Sequence, residues 1–260
     1  MLPSLTCLDF TARSSLPNIV APVLKKLTCY CDLKSVFPKL LHFPRLELLD
    51  LQSSCWYDGD NVEDADEARR LLLECLQSQC LPELRHLDIN FELPVPVETL
   101  LALTTCQKLE YLSITLYGCF DKDNWFQRGL RGKQQQLSPT FCLGKMLRHN
   151  QQLTFLDVHQ WMPSEDVHDV NPKLSGILDE IYKVWSKEDM DVQPIAGCKL
   201  EHLALFSDDF SVLDGATLPN LATLYIQHSC ESSLCTLDLS WSFGLQRLER
   251  FPRLNKFMIM

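Results

Sequence analysis

The chain is poor in the residues that punctuate small catalytic domains. Only 9 of its 260 residues are glycine, and none forms a G-x-S-x-G elbow or a phosphate-cradling glycine loop. Positive charge is also scarce: 24 Lys and Arg against 34 Asp and Glu leave a net charge of -10. Phosphate-backbone binding needs a basic surface, so nucleic acid is excluded as the main partner. No apolar run reaches membrane-spanning length and no signal peptide or polybasic run is present, so the expected setting is cytoplasmic or nuclear, without membrane attachment. Twelve cysteines are plentiful, yet no C-x-x-C pair occurs. Free buried thiols are therefore expected in place of a disulfide framework.

What the chain does have is leucine in a fixed pattern. Leu84-x-x-Leu87-x-Ile89 recurs as Leu5-x-x-Leu8-x-Phe10, Leu24-x-x-Leu27-x-Cys29, Leu46-x-x-Leu49-x-Leu51, Leu109-x-x-Leu112-x-Ile114 and Leu153-x-x-Leu156-x-Val158. Further copies are Leu200-x-x-Leu203-x-Leu205, Leu221-x-x-Leu224-x-Ile226 and the weaker Leu254-x-x-Phe257-x-Ile259. Six have proline two residues ahead: Pro3, Pro22, Pro44, Pro82, Pro219 and Pro252. Each string spells a short strand whose last two apolar residues share a face. No copy can bury that face alone, so the copies must stack.

The pattern resembles leucine-rich repeat proteins, and within them the irregular repeats of F-box leucine-rich repeat proteins. The resemblance implies an α/β leucine-rich repeat solenoid, one domain over 1–260, with a curved parallel sheet and an irregular helical convex side. It also implies substrate recognition for a ubiquitin ligase, whose adaptor would be met through a cap or domain ahead of Met1. The usual asparagine after the third apolar position is replaced by Ser54, Glu92, Tyr117, Trp161, Asp208 and Ser229. Leu93-Pro94-x-x-x-Glu98-x-Leu100-Leu101 echoes the opening of an F-box but lies between two strands, where a return segment fits better.

First leucines are 19, 22, 38, 25, 44, 47, 21 and 33 residues apart, so the long gaps hold insertions near 52–80, 115–150 and 159–199. The first carries acids from Asp58 to Glu67, then an amphipathic helix from Ala68 to Leu76. The second is aromatic and locally basic, with a helix start at Ser138-Pro139 and an apolar side of Phe141, Met146 and Leu147. In the third, Asn171 and Pro172 open a helix whose face is Leu174, Ile177, Leu178, Ile181 and Trp185. Leu234-x-x-Leu237-x-Leu239 follows too closely to be its own repeat and reads as an insertion strand.

Catalysis, metal and cofactor all lack a signature. Asp58-Gly59-Asp60-Asn61 opens like a calcium loop, but its sixth and twelfth positions are Glu63 and Arg69. His159, Asp166 and His168 match no ligand spacing. Cys29 and Cys31 alternate on one strand face without an activating base. The remaining feature is a surface. The position before each second core residue reads His86, Tyr111, Phe155 and His202. The next outward position reads Asp9, Asp50, Asp88 and Asp157, then Ala204 and Tyr225. The third reads Tyr30, Gln52, Asn90, Thr115, His159, Phe206 and Gln227. Strands about 4.8 Å apart turn these into stripes, and an aromatic stripe beside an acidic one suits a protein partner on the concave face. The alternatives are cross-strand stabilisation without binding, and a scaffold subunit buried in a larger assembly.

Overall fold

A computed structural model describes residues 2–52, 62–89, 95–117, 139–161, 172–185, 199–206, 216–227 and 251–259. Its centre is a ten-stranded, all-parallel, open sheet. The strands are β1 (Cys7–Ser15), β2 (Lys26–Asp32), β3 (Leu48–Gln52), β4 (His86–Ile89), β5 (Val95–Pro96), β6 (Tyr111–Tyr117), β7 (Phe155–Trp161), β8 (His202–Phe206), β9 (Thr223–Gln227) and β10 (Lys256–Ile259). They lie side by side in chain order. The exception is the two-residue β5, which pairs with Leu116 and Tyr117 of β6 beyond the end of β4.

Register follows the repeated string through all nine copies. Leu8, Leu27, Leu49, Leu87, Leu112, Leu156, Leu203, Leu224 and Phe257 form one continuous cross-strand row. A one-residue slip would turn every leucine to the other face, so this burial pins the register. Leu84, Leu87, Ile89, Leu109, Leu112, Ile114, Leu153, Leu156 and Val158 are all buried, none more than 2% exposed.

The shared lead-in has a defined job. In eight copies the first leucine donates its N–H to the carbonyl three residues back, as in Leu24 to Ala21 (3.0 Å), Leu84 to Leu81 (3.2 Å) and Leu221 to Leu218 (3.1 Å). This is a β-turn, and proline suits its second position because its φ is already set there. The residue opening each turn is buried in seven of the eight: Ala21, Phe43, Leu81, Cys106, Asn150, Leu218 and Phe251. Asn150 is polar in this slot, and its Nδ2 donates to the carbonyls of Leu103 and Met146.

Helices fill the gaps between strands. α1 (Leu33–Val36), capped by the Asp32 carboxylate, follows β2 and runs into a 3₁₀ turn, Phe37–His42. α2 (Val62–Gln77) lies in the first long gap. α3 (Thr99–Ala102) follows β5, α4 (Pro139–His149) precedes β7, and α5 (Pro172–Trp185) precedes β8. The segment around Glu98, Leu100 and Leu101 is thus a return element. Leu72, Leu73, Leu76, Phe141, Met146, Leu147, Leu178 and Ile181 share a single core with the inward strand residues. Among the described residues, no helix is long and apolar enough to cross a membrane.

One expectation is corrected here. α2 begins at Val62, not Ala68, so Glu63, Asp64, Asp66 and Glu67 lie inside the helix. Arg69 and Arg70 pair one turn back with Asp66 (2.7 Å) and Glu67 (2.6 Å), so these two acids are partnered along the helix, as helical spacing allows. Most of the described cysteines are free thiols, as expected, with one bridge that the spacing does not announce. Cys75 and Cys80 form a disulfide, while Cys7, Cys29, Cys31, Cys106 and Cys142 are free thiols. The cause is local: Gln79 takes a left-handed φ of 54° after the helix end. That fold-back brings the two Cα atoms within 5.8 Å, inside bonding range.

Candidate functional site

Alternation leaves one strand face outside the core, and the sequence-derived stripes lie on it. His86, Tyr111, Phe155 and His202 are direct cross-strand partners. Their rings form an unbroken stack. His86 and Tyr111 lie 3.9 Å apart at 6°, Tyr111 and Phe155 4.4 Å apart at 6°, Phe155 and His202 4.2 Å apart at 1°. Beyond His202 the stack tilts onto Tyr225 (5.3 Å, 43°), and the Lys256 ammonium sits 4.9 Å over the Tyr225 ring. All of these rings are half-buried.

The geometry decides what the rings offer. In a parallel stack each face is spent on its neighbour, so Tyr111 and Phe155 turn only their edges outward. Ring edges carry the positive part of the quadrupole and favour apolar groups and acceptors, while a cation prefers a ring face. Tyr225, tilted out of the stack, keeps a face for a cation, and Lys256 occupies it.

The second stripe is interrupted. Its register runs Asp9, Thr28, Asp50, Asp88, Ser113, Asp157, Ala204, Tyr225 and Met258. Asp50 and Asp88 are neighbours, and Ser113 separates Asp88 from Asp157. In the outer stripe His159 Nε2 lies 3.0 Å from Asp157 Oδ1.

Burial sets the ionisation of the stack. His86 is held below the ordinary imidazole range by burial, against the pull of Asp88 and Asp50. His202 is lowered likewise by burial; Asp157 opposes and Lys256 adds. Burial, with Asp88 and Asp157, raises Tyr111, while a hydrogen bond with Ser113 opposes. At neutral pH the stack is therefore uncharged and its flanks are acidic.

The face is less open than the stripes implied. Tyr30 is exposed at 37%, but Thr115 is 1% and Ser113 2% exposed, and Asp157 and His159 retain about a fifth of their side-chain surface. Thr115, expected outward, is thus buried. Phe206 and Gln52 lie in strands, but their side chains, like Asn90, Asp166, His168, the Asp58–Asn61 loop and Leu234–Leu239, lie outside the described residues. Cys29 and Cys31 do share a face, and both are fully buried in the core. A hydrogen bond from Cys31 and burial push the Cys29 thiol far up, which disfavours its thiolate. Among the described residues, no group of three His, Cys, Asp or Glu is placed to hold a metal.

Sequence reasoning missed a charge column along the start of the strands. Lys25–Glu47 (2.7 Å) and Arg85–Glu110 pair across adjacent repeats. Its signal was present, as opposite charges directly after successive first leucines. No family model matches the chain, and no curated protein does.

Proposed function

We propose that the chain is a leucine-rich repeat solenoid acting as a non-catalytic protein-recognition module, with its partner on the ring-bearing face. Its irregular repeats and insertions resemble F-box leucine-rich repeat proteins, so the specific form of the proposal is target selection for a ubiquitin ligase. The observation that carries the reading is the four-ring stack set across consecutive repeats on the face opposite the core. Ring separations of 3.9–4.4 Å fall below the strand spacing of about 4.8 Å. Rings this close leave no gap between repeats, so the stack is one continuous strip. Such a face gathers side chains from many repeats into one extended surface.

The test is affinity capture with the wild-type chain, an Asp88→Lys/Asp157→Lys variant and a Val184→Glu variant. Val184 is 63% exposed on α5, so its variant controls for surface charge. A recognition module loses its partner in the first variant and keeps it in the second, and ubiquitin-ligase components accompany the wild-type complex. A single stoichiometric partner retained by both variants would favour a scaffold subunit.

A further inference from the structure

From the end of α2 we infer that Cys75 and Cys80 form a reversible thiol–disulfide exchange site, entered at the Cys80 sulfur by a small thiol and its disulfide, such as glutathione. The inference is independent of the ring-bearing face.

The two sulfurs are unequal in access. Cys75 is 6% exposed and packs in the shared core. Cys80 is only half-buried, and Gln77, Ser78 and Gln79 before it are exposed. Exchange proceeds by direct attack of a thiolate on one sulfur, so access selects which sulfur is attacked. The open approach is at Cys80, and Cys75 is the sulfur that leaves or resolves.

The turn does not depend on the bond. The Ser78 N–H donates to the Glu74 carbonyl (3.0 Å), Gln79 to Leu76 (3.1 Å) and Cys80 to Cys75 (3.4 Å). The Ser78 hydroxyl donates to the Cys75 carbonyl (2.9 Å). From the next return segment, the Thr105 hydroxyl reaches the Leu76 carbonyl (3.1 Å). These contacts hold the left-handed Gln79 and satisfy carbonyls that a helix end leaves without intrahelical partners. The Cys75 carbonyl also lies 3.1 Å from the Cys80 sulfur, an acceptor ready for its S–H once the bond is open. The reduced pair therefore keeps its place, with the sulfurs poised to rejoin. Both thiols sit at the carbonyl end of α2, where negative charge is disfavoured, so the reduced form is not trapped as thiolate.

Closing takes two steps. The Cys80 thiolate attacks one sulfur of the small disulfide, forming a mixed disulfide and releasing one small thiolate. Cys75, as thiolate, then attacks the Cys80 sulfur, forming the Cys75–Cys80 bond and releasing the second small thiolate. The two protons of the protein thiols end on the released thiolates, and two electrons pass from the protein pair to the small disulfide. Opening is the reverse, with a small thiolate attacking Cys80 and Cys75 leaving.

The experiment incubates the whole folded chain with glutathione and glutathione disulfide at several ratios, without denaturant, and quenches in acid before peptide mapping by mass spectrometry. The bond should open and re-form as the ratio changes, while urea unfolding of the reduced chain stays cooperative. During opening, the trapped mixed disulfide should lie on Cys80 at least about tenfold more often than on Cys75. Alkylation of the reduced chain should label Cys80 at least about tenfold faster than Cys75. The exposed Cys7 and the buried Cys142 serve as internal standards for an open and a closed thiol. A bond that opens only at urea concentrations that unfold the chain would be a fixed cross-link, and would overturn the inference. Mixed disulfide or label appearing first on Cys75 would overturn it too, as would separate thiols at every ratio.

Discussion

Tyr111 and Phe155 stack in parallel, 4.4 Å between centroids, although 44 residues separate them in the chain. They meet because Leu112 and Leu156, one residue along, are register partners in the core. The hydrophobic pattern on one face thus builds the aromatic row on the other, and the first predictions concern that coupling.

A double-mutant cycle on Tyr111→Ala and Phe155→Ala should give a coupling free energy of about 0.5–1.5 kcal/mol, the usual worth of an aromatic pair. Phe155→Ala alone should cost about 2 kcal/mol in urea unfolding, since it breaks two stacks. Additive single effects would mean that the rings are neighbours without interaction.

The core row should be far less tolerant. Leu87→Ala or Leu112→Ala removes a fully buried side chain and should cost about 2–5 kcal/mol by chemical denaturation. A loss below about 1 kcal/mol would contradict the shared register.

Acid should weaken the fold through the stack. His86 and His202 have folded-state pKa values below the ordinary one, so the unfolded chain binds protons more readily. Their contribution is complete above the unfolded value of about 6.5 and is lost as pH falls through the lowered folded values. Unfolding midpoints measured from pH 7.5 downward should fall more steeply for the wild type than for His86→Phe/His202→Phe, which keeps the rings without the titration. Parallel pH curves would refute this.

The Cys75–Cys80 bond closes a short loop at the end of α2, and its loss should cost about 2 kcal/mol on the chain-entropy account. Peptide mapping without reductant should find the two residues joined, and Cys75→Ser/Cys80→Ser should show that loss of stability. Separate thiols in the map would remove the bond from the account.

The row of core residues and the ring stripe were legible because both follow from a fixed spacing. Leu87 and Leu112 had to face the core, which placed His86 beside Tyr111. Other features depend on things no spacing encodes. The burial of Ser113 and Thr115 depends on what packs beside the face, whereas alternation alone turns them outward. The disulfide depends on the left-handed turn at Gln79, which no glycine marks. Cys106 and Asn150 share a buried turn position with Phe43 and Leu81. Neither looks apolar enough to reveal the slot, and Asn150 fits only because its amide finds two carbonyls. The start of α2 lies ahead of its apolar periodicity, in an acidic stretch whose Asp66 and Glu67 are partnered by Arg69 and Arg70.

The central claim, that the ring-bearing face is where a partner binds, is tested most directly by measuring unfolding and partner affinity on the same Phe155→Ala protein. The account predicts a stability loss of about 2 kcal/mol together with affinity weakened at least about tenfold per folded molecule. An equal loss of stability with unchanged affinity would make the stack an element of the fold alone.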